Sequence, residues 1–329
     1  MTGSLAIPVG PRVGRPQPAV VALGGGHGLA VTLTALRHIT ETVTAIVTVA
    51  DDGGSSGRLR DDFSVLPPGD LRMALTALCD DSEWGHTWSE VLQHRFSGPG
   101  DLGGHALGNL LIVALWQLHD DPVAGLDLVG RLLQARGRVL PMSAVPLELT
   151  AQVRGADPAA PEEVSTVVGQ VEVAKTPGVV ESISVLPPDP PARPEVIDAV
   201  RSADAVVLGP GSWFTSVLTH LLVPELRRAL AETNAHRVLT LNLESTGETQ
   251  GFSAVHHLEA LATTAPELTL ETVLADPSVV EDRAELEEAC ARVGAELVVL
   301  PVAQTGRPGE HDALRLGAAY RDILELATR

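Results

Sequence analysis

Short apolar runs and helical periodicities alternate along this chain from residue 19 onward. Residues 20–23 form a wholly apolar run, residues 29–39 repeat apolar side chains at helical spacing, and residues 43–49 are rich in β-branched side chains. These segments predict a strand, a helix and a second strand. Two strands joined in this way are expected to be parallel, with a right-handed crossover.

The alternation continues, with one interruption, to the end of the chain. Residues 147–186 carry short alternating runs, which predict antiparallel strands inserted into or beside the main sheet. Residues 187–194 hold five prolines and predict a surface connector. We therefore predict one mostly parallel α/β domain over residues 19–329, with residues 140–190 as an inserted or peripheral region. The further predicted strands are 204–208, 237–242, 269–274 and 296–300, and the predicted helices are about 69–79, 87–95, 105–119, 122–136, 214–231, 252–264, 281–293 and 311–327.

Two glycine-rich loops begin where apolar strands end. The first follows residues 20–23 and the second follows residues 205–208. Glycine lets the backbone approach an anion, and the next helix offers free N–H groups and a partial positive charge. Two such loops predict one phosphate-bearing ligand, a nucleotide or a nucleotide-sugar, between two strand ends. The predicted contacts are Gly24, Gly25, Gly26 and Gly28 in the first loop, and Gly209, Gly211, Ser212, Thr215 and Ser216 in the second.

The second predicted strand ends in a polar segment that contains Asp51, Asp52, Gly54 and Ser55. In a doubly wound sheet this strand end lies beside the first glycine loop, so all four residues are candidate ligand contacts. Asp51 or Asp52 could bind a sugar hydroxyl or hold Mg²⁺ through water. A helix cap followed by a turn is the structural alternative. No cofactor is required by this pattern, and Mg²⁺ is the candidate if one is used.

Further polar positions belong to the same predicted edge. Asp70 could cap a helix, and Arg72 in its first turn is a candidate clamp for phosphate or carboxylate, with a solvated arginine as the alternative. His105 and Asn109 lie four residues apart near the start of an apolar helix, where they could bind ligand or bond within the core. Asn242 ends a later strand and is a candidate contact for sugar or base hydroxyls.

Composition excludes several classes of protein. The formal net charge of −19 argues against binding to nucleic acid and to anionic membrane surfaces. Lys175 is the only lysine, which argues against a Walker-type phosphate loop. The two cysteines fit a reducing compartment, and no apolar run reaches the roughly 18 residues of a membrane span. Residues 1–18 lack the apolar core of a signal peptide, so we predict a disordered leader on a cytoplasmic protein.

Five motifs in order identify a family resemblance. They are Gly-Gly-Gly-x-Gly-Leu from residue 24, Val-Ala-Asp-Asp-Gly-Gly-Ser-Ser-Gly-Arg-Leu-Arg from residue 49, Pro-Pro-Gly-Asp-Leu-Arg from residue 67, His-x-Leu-Gly-Asn-Leu from residue 105 and Leu-Gly-Pro-Gly-Ser-x-x-Thr-Ser from residue 208. Over about residues 19–326 the chain resembles the gluconeogenesis factors (YvcK type), within the superfamily of 2-phospho-L-lactate transferases (CofD type).

The resemblance implies a Rossmann-like three-layer fold and a cytoplasmic protein that binds UDP-N-acetylglucosamine. It further implies a regulatory role in carbon use, cell-wall synthesis and cell shape, without a demonstrated reaction. Cell-wall synthesis proteins and a second copy of the chain are candidate partners. The alternative is a transferase that moves a phospholactyl group from a nucleotide-activated donor to a deazaflavin in coenzyme F420 synthesis. A nicotinamide dehydrogenase is disfavoured, because Leu29 stands where the dinucleotide fingerprint needs its third glycine.

Three segments depart from the family pattern. His27 stands where we expect a small residue in the first loop, and residues 242–249 lack the expected Gln-Pro. Arg307, a predicted ligand contact, is separated by three residues from His311 and Asp312, where Arg-His-Asp is expected. The ligand contacts of the last two segments are therefore open.

Overall fold

A seven-stranded parallel sheet forms the centre of the protein in the computed structural model, which describes residues 17–327. The strand order is β10-β9-β8-β7-β1-β2-β3, and every neighbouring pair is parallel. Of the predicted leader, residues 1–16 lie outside the described residues. The strands of this sheet are β1 (Val20–Gly24), β2 (Val43–Val47), β3 (Arg138–Pro141), β7 (Ala205–Leu208), β8 (His236–Thr240), β9 (Thr272–Ala275) and β10 (Glu296–Val299).

Helices flank the sheet, so the predicted Rossmann-like α/β fold is confirmed. Every residue of β1 and β7 is buried. Because helices cover both faces of a parallel sheet, its strands do not alternate apolar and polar residues, which explains why these two runs contain no polar side chain. The helices are α1 (Gly26–Leu36), α2 (Gly54–Phe63), α3 (Gly69–Ala77), α4 (Glu83–Gln93), α5 (Leu107–Leu118), α6 (Pro122–Leu133), α7 (Gln170–Lys175), α8 (Pro194–Ser202), α9 (Pro224–Glu232), α10 (Ala254–Thr264), α11 (Arg283–Arg292) and α12 (Ala313–Ala327).

Two small antiparallel sheets stand beside the main one. The three-stranded sheet has the order β5-β4-β6, built from β4 (Glu148–Arg154), β5 (Val164–Val168) and β6 (Val179–Leu186), within the region where the sequence predicts antiparallel strands. A two-stranded hairpin pairs β11 (Ala303–Gln304) with β12 (Arg307–His311), and neither strand is predicted from the sequence.

The strand order reverses between β1 and β7. From β1 the chain adds β2 and β3 on one side, and from β7 it adds β8, β9 and β10 on the other. A reversal of this kind opens a crevice at the carboxyl ends of the two strands, where ligands bind in open α/β sheets. Both glycine loops follow these two strands, so the topology itself brings them together.

Several elements differ from the sequence predictions. No helix is predicted for the polar segment after Asp52, whereas it forms the helix α2, which begins at Gly54 with a positive φ. No strand is predicted around Pro141, whereas β3 lies there at the sheet edge, where proline is tolerated. The single helix predicted over residues 214–231 is instead a π-turn (Trp213–Val217), a 3₁₀ turn (Leu218–Leu222) and α9, because Pro224 cannot continue a helix.

Within residues 17–327, no helix combines the length and the apolar character that crossing a membrane requires.

Candidate functional site

The first glycine loop leaves the start of α1 open. Gly25 precedes the helix and has no side chain with which to cap it. Gly26 has a φ of 54°, which favours glycine, and its N–H donates to the Asp70 carboxyl. Among the described residues, the N–H groups of His27 and Gly28 have no acceptor. The helix therefore presents two free donors and its positive dipole end, as an anion site requires.

The two glycine loops touch each other closely. A Cβ atom added to Gly28 would lie 2.2 Å from the carbonyl oxygen of Pro210 and 2.7 Å from the Cα of Gly211. Further along α1, the Thr32 hydroxyl donates to the Gly209 carbonyl at 3.2 Å. Gly28 is therefore required by close backbone contact, and the two loops form one unit.

The second loop is held from the neighbouring strand end and not by its own serine. Asn242 accepts from the Gly211 N–H at 2.9 Å and donates to the Gly211 carbonyl at 2.8 Å. The oxygen and the NH₂ group of the Asn242 amide therefore both bind the backbone of the second loop. From the sequence, Asn242 is instead predicted to contact hydroxyl groups of a ligand. Ser212 precedes the π-turn, and its hydroxyl does not cap that turn.

The N–H groups after the second loop are not free. Glu248 is 5% exposed, and its Oε1 accepts from the N–H of Phe214 at 2.9 Å and from that of Thr215 at 3.3 Å. The predicted free donors at this helix start are therefore occupied by a carboxylate of the protein itself. The sequence offers no signal for this contact, because 33 and 34 residues separate the partners.

Burial raises the pKa of Glu248 from 4.5 to about 7, against the lowering effect of the N–H groups of Phe214 and Thr215. The folded state therefore binds this proton more tightly than the unfolded state, and the free energy of unfolding falls as the pH rises from about 4.5 to about 7. Burial, and then the charge of Asp51, raises the pKa of Asp70 from 3.8 to about 7. The contribution of Asp70 to the free energy of unfolding therefore also falls as the pH rises through this range.

Replacing Glu248 with glutamine is expected to stabilise the protein above pH 7. The amide oxygen can still accept from both N–H groups, while the buried charge disappears. We expect a gain of about 1–3 kcal/mol at pH 8 and a much smaller gain at pH 5, measured by thermal denaturation. The exposed Glu90→Gln serves as control. An equal effect of E248Q at both pH values would contradict this assignment.

A cavity of about 250 Å³ lies between the two loops. It brings together residues that come from separate parts of the chain, and the buried hydroxyl of Thr48 has no hydrogen-bond partner among the described residues. Thr48 and Gln170 are not predicted from the sequence, because neither belongs to a recognisable motif. The lining residues are Gly25, Gly26, His27, Gly28, Thr48, Asp51, Asp70, Gln170, Ser212, Thr215 and Ser216.

The two adjacent aspartates have different roles. Asp51 lines the cavity, and its Oδ1 accepts from the Gly53 N–H at 2.9 Å. Asp52 instead accepts from the N–H groups of Gln170 at 2.9 Å and Val171 at 3.0 Å, one with each oxygen. Asp52 thus caps α7 and is not among the cavity residues, so the prediction that it contacts ligand is not supported by the geometry.

Asp51 and Asp70 are the residues that fit a cation. Both line the cavity, and Asp70 lies inside α3, which has Pro68 at its N-cap position, so Asp70 does not cap the helix as predicted. Among the described residues, no group of three or more His, Cys, Asp or Glu side chains is arranged to hold a metal ion. Two carboxylates nonetheless suit Mg²⁺, which is commonly held by one or two carboxylates together with ligand phosphates and water.

Four predicted ligand contacts form a buried hydrogen-bonded chain outside the cavity. Arg72 Nε donates to Asn109 Oδ1 at 2.9 Å, and Asn109 Nδ2 donates to Ser55 Oγ at 2.9 Å. Ser55 Oγ lies 2.9 Å from His105 Nδ1. Burial lowers the pKa of His105, which favours a neutral ring that accepts from the Ser55 hydroxyl. The helix is predicted to begin at about residue 105, whereas α5 begins at Leu107, so His105 precedes the helix that contains Asn109.

The remaining predicted contacts do not line the cavity. Gly24 ends β1, Gly209 and Gly211 form the second loop, and Gly54 begins α2, yet none of them lines the cavity. Arg307 lies on the β11–β12 hairpin, where its largely exposed side chain pairs with Glu310 at 3.2 Å. The structure therefore does not bring Arg307 to the cavity.

The chain is similar to known proteins over most of its length. It matches the model of the CofD family, described as 2-phospho-L-lactate transferase CofD, over residues 20–307. It is 51% identical to a gluconeogenesis factor homologue of Mycobacterium leprae over 312 residues, which are 93% of this chain and 86% of that protein. It is 34% identical to the gluconeogenesis factor of Bacillus subtilis over 278 residues, which are 83% of this chain and 84% of that protein.

A solved structure shares this fold. The crystal structure of a member of the UPF0052 family from Bacillus halodurans superimposes with a TM-score of 0.82 and 32% identity, over 93% of this chain and 99% of that chain. The matched residues include both glycine loops and the strands that carry them.

Proposed function

Because the chain belongs to the CofD family, and within it to the gluconeogenesis factors, we propose that it binds a nucleotide-sugar such as UDP-N-acetylglucosamine and acts by binding without turnover. The observation that carries this proposal is the cavity between the glycine loops, where α1 presents two free N–H groups beside the hydroxyl residues Ser212 and Ser216.

The cavity suits the diphosphate part of such a ligand. Its volume of about 250 Å³ is below the ~300 Å³ at which pockets for whole small molecules usually begin. We therefore expect the phosphates to lie in the cavity and the sugar and base to extend along the carboxyl edge of the sheet. Since Glu248 occupies the N–H groups of Phe214 and Thr215, the phosphates depend mainly on the start of α1.

A divalent cation would complete this arrangement. Asp51 and Asp70 are carboxyl groups in a cavity that we propose for an anion, and like charges oppose each other there. Bound Mg²⁺ would supply the positive charge that joins the diphosphate to these two side chains. Without Mg²⁺, we expect weaker binding that is stronger at low pH, where Asp70 is protonated.

Differential scanning fluorimetry with a panel of nucleotide-sugars tests this function. UDP-N-acetylglucosamine with Mg²⁺ is expected to raise the melting temperature, with a linkage free energy of about 2.7 kcal/mol at a hundred times Kd. GDP-mannose and free N-acetylglucosamine serve as controls for base and phosphate recognition. If no UDP-sugar stabilises the protein, with or without Mg²⁺, the proposal is wrong.

We keep the transferase as a second candidate because the family model is that of a transferase and the Asp51–Asp70 pair could orient a nucleotide-activated donor. Incubation with a deazaflavin and a guanylyl-activated or phosphoenolpyruvate-derived donor, followed by mass spectrometry, decides between them. Formation of a phospholactyl product would overturn the proposal of binding without turnover.

We further propose that the protein acts in the cytoplasm on carbon use, cell-wall synthesis and cell shape, with cell-wall synthesis proteins or a second copy of the chain as partners. The similarity to gluconeogenesis factors supports this role. A deletion strain that grows normally on gluconeogenic carbon and keeps its shape would count against it.

A further inference from the structure

Arg72 is a buried arginine without an acidic partner. Arg72 is 5% exposed. Among the described residues, only its Nε has a hydrogen-bond partner, which is Asn109 Oδ1 at 2.9 Å. Its two Nη atoms have no partner there and are not among the buried polar atoms sealed from solvent. Since a guanidinium carries five N–H donors, the four N–H donors on the Nη atoms of Arg72 have no partner among the described residues.

Arg237 shows how this fold otherwise treats a buried arginine. It is 7% exposed, and Glu271 accepts from its Nε at 3.1 Å and from its Nη2 at 2.6 Å. Its Nη1 donates to the carbonyls of Leu230 at 3.1 Å and Ala231 at 3.3 Å. Arg237 thus has a carboxylate and backbone carbonyls as acceptors, whereas the Nη donors of Arg72 have no acceptor among the described residues.

A second arginine lies close to the first, because both pack against the segment of residues 104–109. Arg95 pairs with Ala106 in an isolated β-bridge, and a Cβ added to Gly108 would lie 2.8 Å from Arg72 Cδ. Burial lowers the pKa of Arg72, and the charge of Arg95 lowers it further, while the charge of Asp70 opposes both effects. Arg95 donates to the Gly104 carbonyl at 3.0 Å and, like Arg72, has no carboxylate within 4 Å among the described residues. Two neighbouring cations, one of them buried, are unfavourable unless an anion compensates them.

We propose that Arg72 and Arg95 form an anion-binding subsite for the phosphate or carboxylate group of a second, small acidic ligand. A guanidinium fork binds either group through two parallel hydrogen bonds. The subsite is separate from the cavity between the glycine loops, which neither arginine lines. The Asp70 carboxyl bonds to Gly26, whereas Arg72, two residues further along α3, bonds to α5, because residues two apart lie on different sides of a helix.

Titration calorimetry with inorganic phosphate, and separately with acetate, at constant ionic strength tests this subsite without any nucleotide-sugar. The wild type is expected to bind at least one of the two anions. R72K keeps the positive charge but loses the guanidinium fork. R95Q removes the charge of an exposed side chain, so it is not expected to impair folding. We expect each to weaken binding by about tenfold or more, and the exposed control R201Q to stay within about twofold of the wild type.

Two outcomes would overturn the proposal. One is a wild type that binds neither anion, and the other is an anion affinity that R72K and R95Q both leave unchanged. Repeating the phosphate titration at saturating UDP-N-acetylglucosamine separates this site from the glycine loops. If saturating UDP-N-acetylglucosamine abolishes phosphate binding, and R95Q does not change the phosphate affinity, then phosphate binds at the glycine loops and not at Arg72 and Arg95. Because the first titration needs no nucleotide-sugar, failure of the proposed function would leave its result unaffected.

Discussion

Replacing Gly28 with alanine is expected to reduce affinity for UDP-N-acetylglucosamine by about a hundredfold or more and to destabilise the protein by about 2–3 kcal/mol. The added Cβ would lie 2.2 Å from the Pro210 carbonyl oxygen and 2.7 Å from the Gly211 Cα. Both are backbone atoms of a braced loop, so no flexible side chain can move aside. The two loops would have to separate, and the cavity between them would change shape.

Gly130→Ala is the matched control for this substitution. Gly130 is also a helical glycine, yet its added Cβ would meet only the Cδ2 atom of Leu75, at 3.8 Å. We expect this variant to be as stable as the wild type or up to about 1 kcal/mol more stable, and to bind ligand normally. Chemical denaturation and calorimetry measure both effects. A G28A protein with the stability and affinity of the wild type would show that the loops do not meet as described.

Asparagine substitutions at Asp51 and Asp52 are expected to separate ligand binding from folding. Asp51→Asn should lower Mg²⁺-dependent affinity by about a hundredfold, because the cavity loses one of its two carboxylates. Its effect on stability should be small, since an amide oxygen still accepts from the Gly53 N–H.

Asp52→Asn should show the opposite pattern. An asparagine offers one acceptor oxygen where the aspartate supplies two, so one N–H at the start of α7 loses its partner. We expect a loss of about 1–2 kcal/mol in stability. Affinity should fall by less than about tenfold, through the displacement of Gln170, which lines the cavity. If D52N abolishes binding and D51N does not, our assignment of the two carboxylates is reversed.

Much of the fold is predictable because its signals are local. The apolar runs of β1 and β7 identify buried strands, and the five ordered motifs identify the family. The helix α2 escapes prediction because its sequence is polar and rich in serine and glycine, with low helix propensity. Tertiary contacts stabilise it instead, including the bond from the Gly69 N–H to the Ser56 hydroxyl at 3.0 Å.

The candidate site is predictable in part for the same reason. Glycine loops after apolar strands are a local pattern, so Gly25, Gly26 and Gly28 can be identified from the sequence alone. The roles of Asp52, Asn242 and Glu248 cannot, because each side chain bonds to backbone more than 30 residues away. A polar residue at a strand end has the same sequence signature whether it binds a ligand or braces a loop.

The sequence by itself determined the family, the parallel α/β class and the two glycine loops, because these follow from short-range patterns of apolar side chains and glycine. Only the tertiary structure decided which polar groups remain available to a ligand. Hydrogen-bond partners distant in the chain occupy Asp52, Asn242 and the N–H groups of Phe214 and Thr215, and they leave Asp51, Asp70 and the start of α1 facing the cavity. Most buried polar groups in proteins have a partner, and the fold determines which of them find that partner within the protein and which are left for a ligand.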